Sequence, residues 1–335
     1  MHRARFWEPG EGRRVRCRLC PRYCHIEDGQ TGFCGVRLNQ GGTLYSLVYG
    51  QPWAVHIDPI EKKPLFHFLP GTTSFSIGTA GCNLHCQFCQ NWSLSRSPHD
   101  PRQAVDLPPE KAVQIALQQG CASLSYTYNE PTIWAEYALD LAQEGHRHGL
   151  KSVMVTNGYI APEALQEVYS HIDAANVDLK AFREEFYRKL TQSHLQPVLD
   201  TLVELKKRGV WIEVTTLIIP TWNDSPEEVR QLAGWILEHL GDRVPLHFTA
   251  FHPDFNLTDL PPTPPQTLQQ ARQIALDLGL QYVYLGNVLD EAGSSTYCPQ
   301  CGAVLIRRLW HQVALVHVRD GRCGQCGAQT DIYWG

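Results

Sequence analysis

Gly81-Cys82-Asn83-Leu84-His85-Cys86-Gln87-Phe88-Cys89-Gln90-Asn91-Trp92 places three cysteines at the spacing CxxxCxxC. Three thiolates in one loop can bind three irons of a cubane cluster and leave the fourth iron without a protein ligand. An open metal position takes a chelating substrate, by the logic that keeps one position of a catalytic zinc free. The alternatives are a zinc site completed by His85 and a chance grouping. The stretch directly follows a predicted strand, Ser74–Thr79, which puts it at the C-terminal rim where α/β barrels keep their chemistry.

Outward from this loop the chain alternates. Predicted strands cover Ala122–Tyr128, Lys151–Thr156, Ala174–Leu179, Val210–Ile219, Pro245–Phe251 and Gln281–Leu285. Predicted helices cover Pro109–Gln119, Ile133–His148, Pro162–Tyr169, Gln196–Arg208, Pro226–Leu240 and Pro265–Leu278. Several helices open on proline, and Gly120, Gly149, Gly209 and Gly279 stand where a residue just past a helix end needs positive φ. Strand–helix alternation with short loops means βαβ units on a parallel sheet. The expected fold class is α/β, a partial (β/α)6 TIM-like barrel. The expected organisation is a cysteine-rich extension over 1–70, the barrel over 71–292 and a zinc-ribbon or rubredoxin-like module over 293–335.

The ends of the other strands carry polar groups above strand interiors that read as apolar. They are Asn129 and Glu130 in Tyr126-Thr127-Tyr128-Asn129-Glu130-Pro131, Asn157 in Thr156-Asn157-Gly158, Asp178 and Lys180 in Asp178-Leu179-Lys180, and His252 after Phe251. One such residue is more often a loop cap. Several on one rim make a site.

The remaining cysteines, apart from Cys121, form two further clusters. Cys17, Cys20, Cys24 and Cys34 are a closed set of four thiolates, suited to zinc or to a second iron–sulfur cluster. Cys298-Pro299-Gln300-Cys301-Gly302 and Cys323-Gly324-Gln325-Cys326-Gly327 are two knuckles across a hairpin-like stretch, Ala303–Val318, and favour zinc over a single iron. Disulfides are disfavoured because no apolar export segment stands in Met1–Arg18, and the expected location is the cytoplasm. No apolar run is long enough to span a membrane. The net charge of −5 provides no global basic field for nucleic acid, although Arg3, Arg5, Arg13, Arg14, Arg16, Arg18 and Arg22 crowd the first stretch.

The CxxxCxφC loop after the first barrel strand, with Phe88 as the aromatic φ, resembles the radical SAM superfamily. That resemblance implies a [4Fe–4S] cluster on Cys82, Cys86 and Cys89, and an open iron that chelates the amino and carboxylate groups of S-adenosylmethionine. It also implies reductive cleavage to a 5′-deoxyadenosyl radical and a reductase such as flavodoxin or ferredoxin. The rim motifs are similar to those of pyruvate formate-lyase activating enzymes, which implies S-adenosylmethionine contacts from Glu130, Asp178, Lys180 and His252; Asn129 and Asn157, on the same rim, are expected to join them. Asn129 departs from that pattern where a glycine is usual, and Thr215 where an arginine reaches the cofactor. The whole arrangement, including Lys62-Lys63-Pro64-Leu65-Phe66-His67-Phe68, resembles the radical SAM member of the AmmeMemoRadiSam system. That implies AMMECR-type and Memo-type partner proteins and leaves the substrate open. A protein or peptide substrate fits the activase-like motifs. RNA or a nucleotide fits the basic arm. A non-catalytic metal-binding scaffold is the third reading.

Overall fold

The computed structural model describes residues 1–335. Its central sheet has eight strands. They are β1 (Ala54–Pro59), β2 (Thr73–Gly78), β3 (Ser123–Tyr126), β4 (Lys151–Thr156), β5 (Ala174–Asp178), β6 (Trp211–Ile218), β7 (Leu246–Ala250) and β8 (Val283–Gly286). They lie side by side in sequence order and the sheet is open, with β1 and β8 at its edges. The seven strands β2–β8 are parallel, and β1 is antiparallel to β2. The connecting helices are α1 (Pro109–Gln118), α2 (Ala135–Arg147), α3 (Pro162–Val168), α4 (Gln196–Lys207), α5 (Pro226–His239) and α6 (Pro265–Asp277). Proline occupies the first or second position of five of these six, where its missing N–H costs nothing. The four glycines expected past helix ends all have positive φ.

Two features depart from the sequence reading. The sheet begins at Ala54, before the expected boundary at 70, and one apolar core runs from Ala4 and Val15 of the extension into the strands and helices. The extension therefore has no core separate from the sheet. The second departure concerns the strand interiors. Ser74 and Ser76 of β2 pair in register with Ser123 and Ser125 of β3, and Asn176, Glu213, His247 and Tyr284 continue the same face across β5–β8. All of these are buried. The face is polar because its groups satisfy one another. Ser74 Oγ lies 2.6 Å from Ser125 Oγ, and His247 Nε2 lies 2.7 Å from Glu213 Oε2. Glu213 also accepts the backbone N–H groups of Phe66 and His67. Alternation along a strand places a residue on a face but says nothing about whether hydrogen-bond partners await it there.

The C-terminal segment forms a three-stranded antiparallel sheet, Thr296–Tyr297, Val304–Leu309 and Gln312–Leu315. It is anchored to the main body. The Tyr333 ring stacks on Phe68 at 4.8 Å, and Tyr333 exchanges backbone hydrogen bonds with His67 and Leu69.

Candidate functional site

The cysteine loop leaves β2 through Gly81, whose φ is +88°. A Cβ at Gly81 would collide with the carbonyl of Cys34, so only glycine lets the loop lie against the N-terminal segment. The loop's own amides are satisfied from a neighbouring turn. His85 N–H donates to the Thr191 carbonyl and Gln87 N–H to that of Leu190, both at 2.9 Å. Those carbonyls belong to a single π-helical turn, Tyr187–Thr191, a distortion that recurs at functional sites.

Cys82, Cys86 and Cys89 line a cavity of about 500 Å³ at the C-terminal ends of the parallel strands, together with Asn129, Glu130, Asn157, Asp178 and Lys180. The volume is that of a small-molecule site. His252 is exposed and does not line the cavity. His85 does not line it either, and its ring lies 4.2 Å from that of Phe33. A zinc site completed by His85 therefore has no geometric support here.

The rim residues act on one another as well as on the cavity. Asn129 uses its side chain on the approach to the loop: Nδ2 donates to the Gly81 carbonyl at 2.8 Å, and Oδ1 accepts from Thr79 N–H and from Trp134 Nε1. Glu130 is 2% exposed and accepts Thr156 Oγ1 at 2.7 Å, Asn157 N–H at 2.8 Å and Thr132 N–H at 3.0 Å. Burial raises its pKa against the pull of those donors. Asn157 Nδ2 donates to Asn83 Oδ1 at 2.9 Å and points toward Cys82 Sγ at 3.9 Å. Lys180 Nζ lies 2.9 Å from Asp178 Oδ2. Burial works to lower the pKa of Lys180, but the Asp178 carboxylate, joined by the Cys86 sulfur when that is ionised, outweighs it, so the ammonium is held charged beside the thiols. Burial pushes the Cys86 thiol up to about 11, so ionisation there needs a positive charge such as a metal supplies.

Sequence reading missed a second charged group on the same cavity. Lys62 and Lys63 line it, and both reach Asp58, at 2.9 and 2.6 Å. Tyr128 Oη donates to the same Asp58 oxygen that Lys63 uses, at 2.5 Å. Burial lowers Lys63 to about 8 although Asp58 opposes the shift. Tyr128 reaches this position through a φ of +70°, uncommon for a non-glycine residue and invisible in the sequence. The adjacent Lys62-Lys63 pair was the one available signal. Thr215 also lines the cavity, and its buried Oγ1 has no partner.

The two other cysteine clusters differ in geometry. In the C-terminal module the four sulfurs lie within 4.8 Å of one another, with Cys298–Cys326 and Cys301–Cys323 each at 3.7 Å. A tetrahedron with metal–sulfur bonds of about 2.3 Å has edges of about 3.8 Å, so the set fits one ion. Backbone N–H groups, that of Cys326 first, hold the Cys323 thiol below its ordinary value. Cys17, Cys20, Cys24 and Cys34 instead ring a second, smaller pocket together with Arg22 and Asn83.

A family model described as Radical SAM superfamily matches residues 76–233. A Methanocaldococcus jannaschii protein described as uncharacterized protein MJ0808 is 44% identical over 334 residues, 99% of each chain. The pyruvate formate-lyase-activating enzyme of Clostridium pasteurianum is 23% identical over 165 residues, 47% of this chain and 66% of that one. A solved domain of pyruvate-formate lyase-activating enzyme from Bacteroides vulgatus aligns with a TM-score of 0.45 and 15% identity, over 50% of this chain and 99% of that one.

Proposed function

Because the chain belongs to the radical SAM superfamily, and is an enzyme of that type, we propose that its cavity binds S-adenosylmethionine over a [4Fe–4S] cluster held by Cys82, Cys86 and Cys89. When bound, that pair supplies reductive cleavage to a 5′-deoxyadenosyl radical, which takes hydrogen from a substrate. The observation that carries the reading is the convergence of the three loop cysteines with Glu130, Asn157, Asp178 and Lys180 on one cavity at the strand ends. The open sheet is then read as a partial (β/α)6 barrel, with β8 as a seventh parallel strand at its edge.

Each residue has a role that follows from its contacts. Asn129 positions the loop rather than the ligand, since its polar atoms are committed to Thr79–Gly81 and Trp134. Glu130 retains acceptor capacity for an ammonium and fixes Asn157. The Lys180–Asp178 pair offers a cation to the thiolates and a carboxylate to the ligand. Thr215 Oγ1 offers a free donor where an arginine would otherwise reach. The Lys62–Asp58–Lys63 group supplies fixed charge for a polar substrate.

The four C-terminal thiolates are read as a zinc site, and the four N-terminal ones as a second zinc or iron–sulfur centre. The substrate is read as a protein or peptide, and the electron donor as a flavodoxin or ferredoxin. AMMECR-type and Memo-type proteins are the partners to test. The basic arm lends little to an RNA substrate, because Arg5, Arg13, Arg14, Arg16 and Arg18 are paired with Glu167, Asp28, Glu27 and Glu8. No helix is long and apolar enough to cross a membrane. The test is anaerobic reconstitution followed by reduction with dithionite in the presence of S-adenosylmethionine. The protein should release 5′-deoxyadenosine and the Cys82→Ala/Cys86→Ala/Cys89→Ala variant should not. Release by the variant refutes the assignment.

A further inference from the structure

We infer that Cys17, Cys20, Cys24 and Cys34 hold an iron–sulfur cluster, not zinc, and that it passes electrons to the cluster at Cys82, Cys86 and Cys89; the second half rests on the function proposed above.

The sulfur spacing comes first. The C-terminal four sulfurs are all within 4.8 Å of one another, the spacing of a single ion. Neither the loop set nor the N-terminal set contains three sulfurs so close together. The N-terminal thiols nonetheless face one pocket. Each cysteine of a cubane binds a different iron, so its sulfurs stand further apart than those on one ion. Arg22 also borders the pocket and offsets the charge of a thiolate-bound cluster.

The second observation is contact with the catalytic loop. The Cys34 carbonyl sits directly on Gly81, the residue before Cys82. Phe33, next to Cys34, has its ring 4.2 Å from that of His85, next to Cys86. Arg22 stands over the Phe33 ring at 3.4 Å and donates through Nε to the Asn83 carbonyl at 2.5 Å. Asn83 borders the N-terminal pocket, and its Oδ1 accepts from Asn157, which borders the large cavity. A structural zinc knuckle needs no path between two cysteine sets, although the contacts would help hold it in place. A one-electron relay would use it as its path. One electron is taken from a carrier protein of the flavodoxin or ferredoxin class and one is delivered to the loop cluster. The N-terminal cluster is oxidised as the loop cluster is reduced, and no bond forms or breaks.

Acid-labile sulfide separates the cases, because neither zinc nor a single-iron C-terminal site contains any. The anaerobically reconstituted protein should hold about eight sulfides, and Cys82→Ala/Cys86→Ala/Cys89→Ala about four. Four and none overturn this inference and leave the proposed function standing; four in both overturn the loop assignment instead. The relay is read in Cys20→Ala/Cys24→Ala after confirming about four sulfides in its loop cluster. Reduction of that cluster by reduced flavodoxin, followed by electron paramagnetic resonance, should slow tenfold or more, with dithionite reduction unchanged. A flavodoxin rate equal to that of the unsubstituted protein overturns the relay.

Discussion

Arg308 and Glu61 meet where neither side chain touches solvent: guanidinium Nε lies 3.8 Å from carboxylate Oε1, and both are 0% exposed. Arg308 comes from the C-terminal module, and Glu61 from the turn after β1. The same guanidinium donates to the Phe66 carbonyl at 2.5 Å and to Thr296 Oγ1 at 2.7 Å. Burial already raises the pKa of Glu61 despite Arg308. Removing the arginine leaves a buried carboxylate without its counter-charge, which typically costs about 3–5 kcal/mol. Arg308→Ala should therefore lower unfolding stability by about that much, and the exposed-side neighbour Arg307→Ala by far less. A double change, Arg308→Leu with Glu61→Met, should recover most of the loss. Denaturant unfolding of the four proteins checks this, and a near-neutral Arg308→Ala would show that the contact is not formed.

Glu130 has a second job that complicates a simple binding test. Its carboxylate satisfies three buried donors, Thr132 N–H, Thr156 Oγ1 and Asn157 N–H. Glu130→Ala orphans all three, at roughly 1–3 kcal/mol for each unsatisfied group. That variant should lose about 3 kcal/mol or more of stability and should loosen the Asn157 side of the cavity. Glu130→Gln keeps the oxygen that accepts from Thr132 N–H and Thr156 Oγ1, gives up the one that accepts from Asn157 N–H, and should stay folded. Its S-adenosylmethionine affinity, measured by equilibrium binding, should fall about tenfold through loss of the charge. Unchanged affinity in Glu130→Gln would remove Glu130 from the binding site.

Thr215 gives a cleaner readout. Its Oγ1 is buried, lines the cavity and has no partner within the protein. A hydrogen bond to a bound ligand is worth about 0.5–1.5 kcal/mol, so the isosteric Thr215→Val should weaken S-adenosylmethionine about two- to tenfold. Stability should not fall, because the substitution removes an unsatisfied buried group. Equal affinities would mean that the hydroxyl faces substrate or water instead.

The helices, the parallel strands and the cysteine loop were legible because each has a local cause: proline at helix starts, glycine past helix ends, cysteines at fixed spacing. Most of the rim was legible for the same reason, since Glu130, Asn157, Asp178 and Lys180 follow strand ends and strand ends share one rim. What stayed hidden depends on contacts between distant segments. β1 reads as a short run within a turn-rich extension, and only pairing with β2 makes it part of the sheet. His252 follows its strand as the others do, yet the chain turns it outward. Asp58 carries no motif, and comes to anchor the cavity-lining Lys62, Lys63 and Tyr128 only when Tyr128 adopts positive φ and the two lysines converge on it. The polar floor of Glu213, His247 and Tyr284 was likewise unreadable, because its cost is repaid by partners from the Phe66–His67 segment.

His67 belongs to that floor, and its titration can be read. Nδ1 lies 2.5 Å from the Asp331 carbonyl, which can only accept, so the ring proton is on Nδ1 and Nε2 accepts from Tyr284 Oη. Burial pushes the imidazole down to about 4, with Arg308 and His247 adding to the shift and Glu213 and the Asp331 carbonyl opposing it. An unfolded histidine titrates near 6.5. Between about 6.5 and 4 the unfolded chain therefore binds a proton that the folded chain refuses. Stability should fall as pH drops through that window, by up to about 3 kcal/mol for this group, and the loss should end below it. Glu61 acts in the opposite sense, because burial raises its pKa and the folded state holds its proton as pH falls. The total slope thus mixes signs, and the informative quantity is the difference between the protein and His67→Asn. Asparagine can still donate to Asp331 but does not titrate. The variant should be less stable at pH 7 and should lose less on going to pH 4.5, so the two urea midpoints converge. Parallel midpoints across the window would show that His67 is protonated in the fold or exposed to solvent.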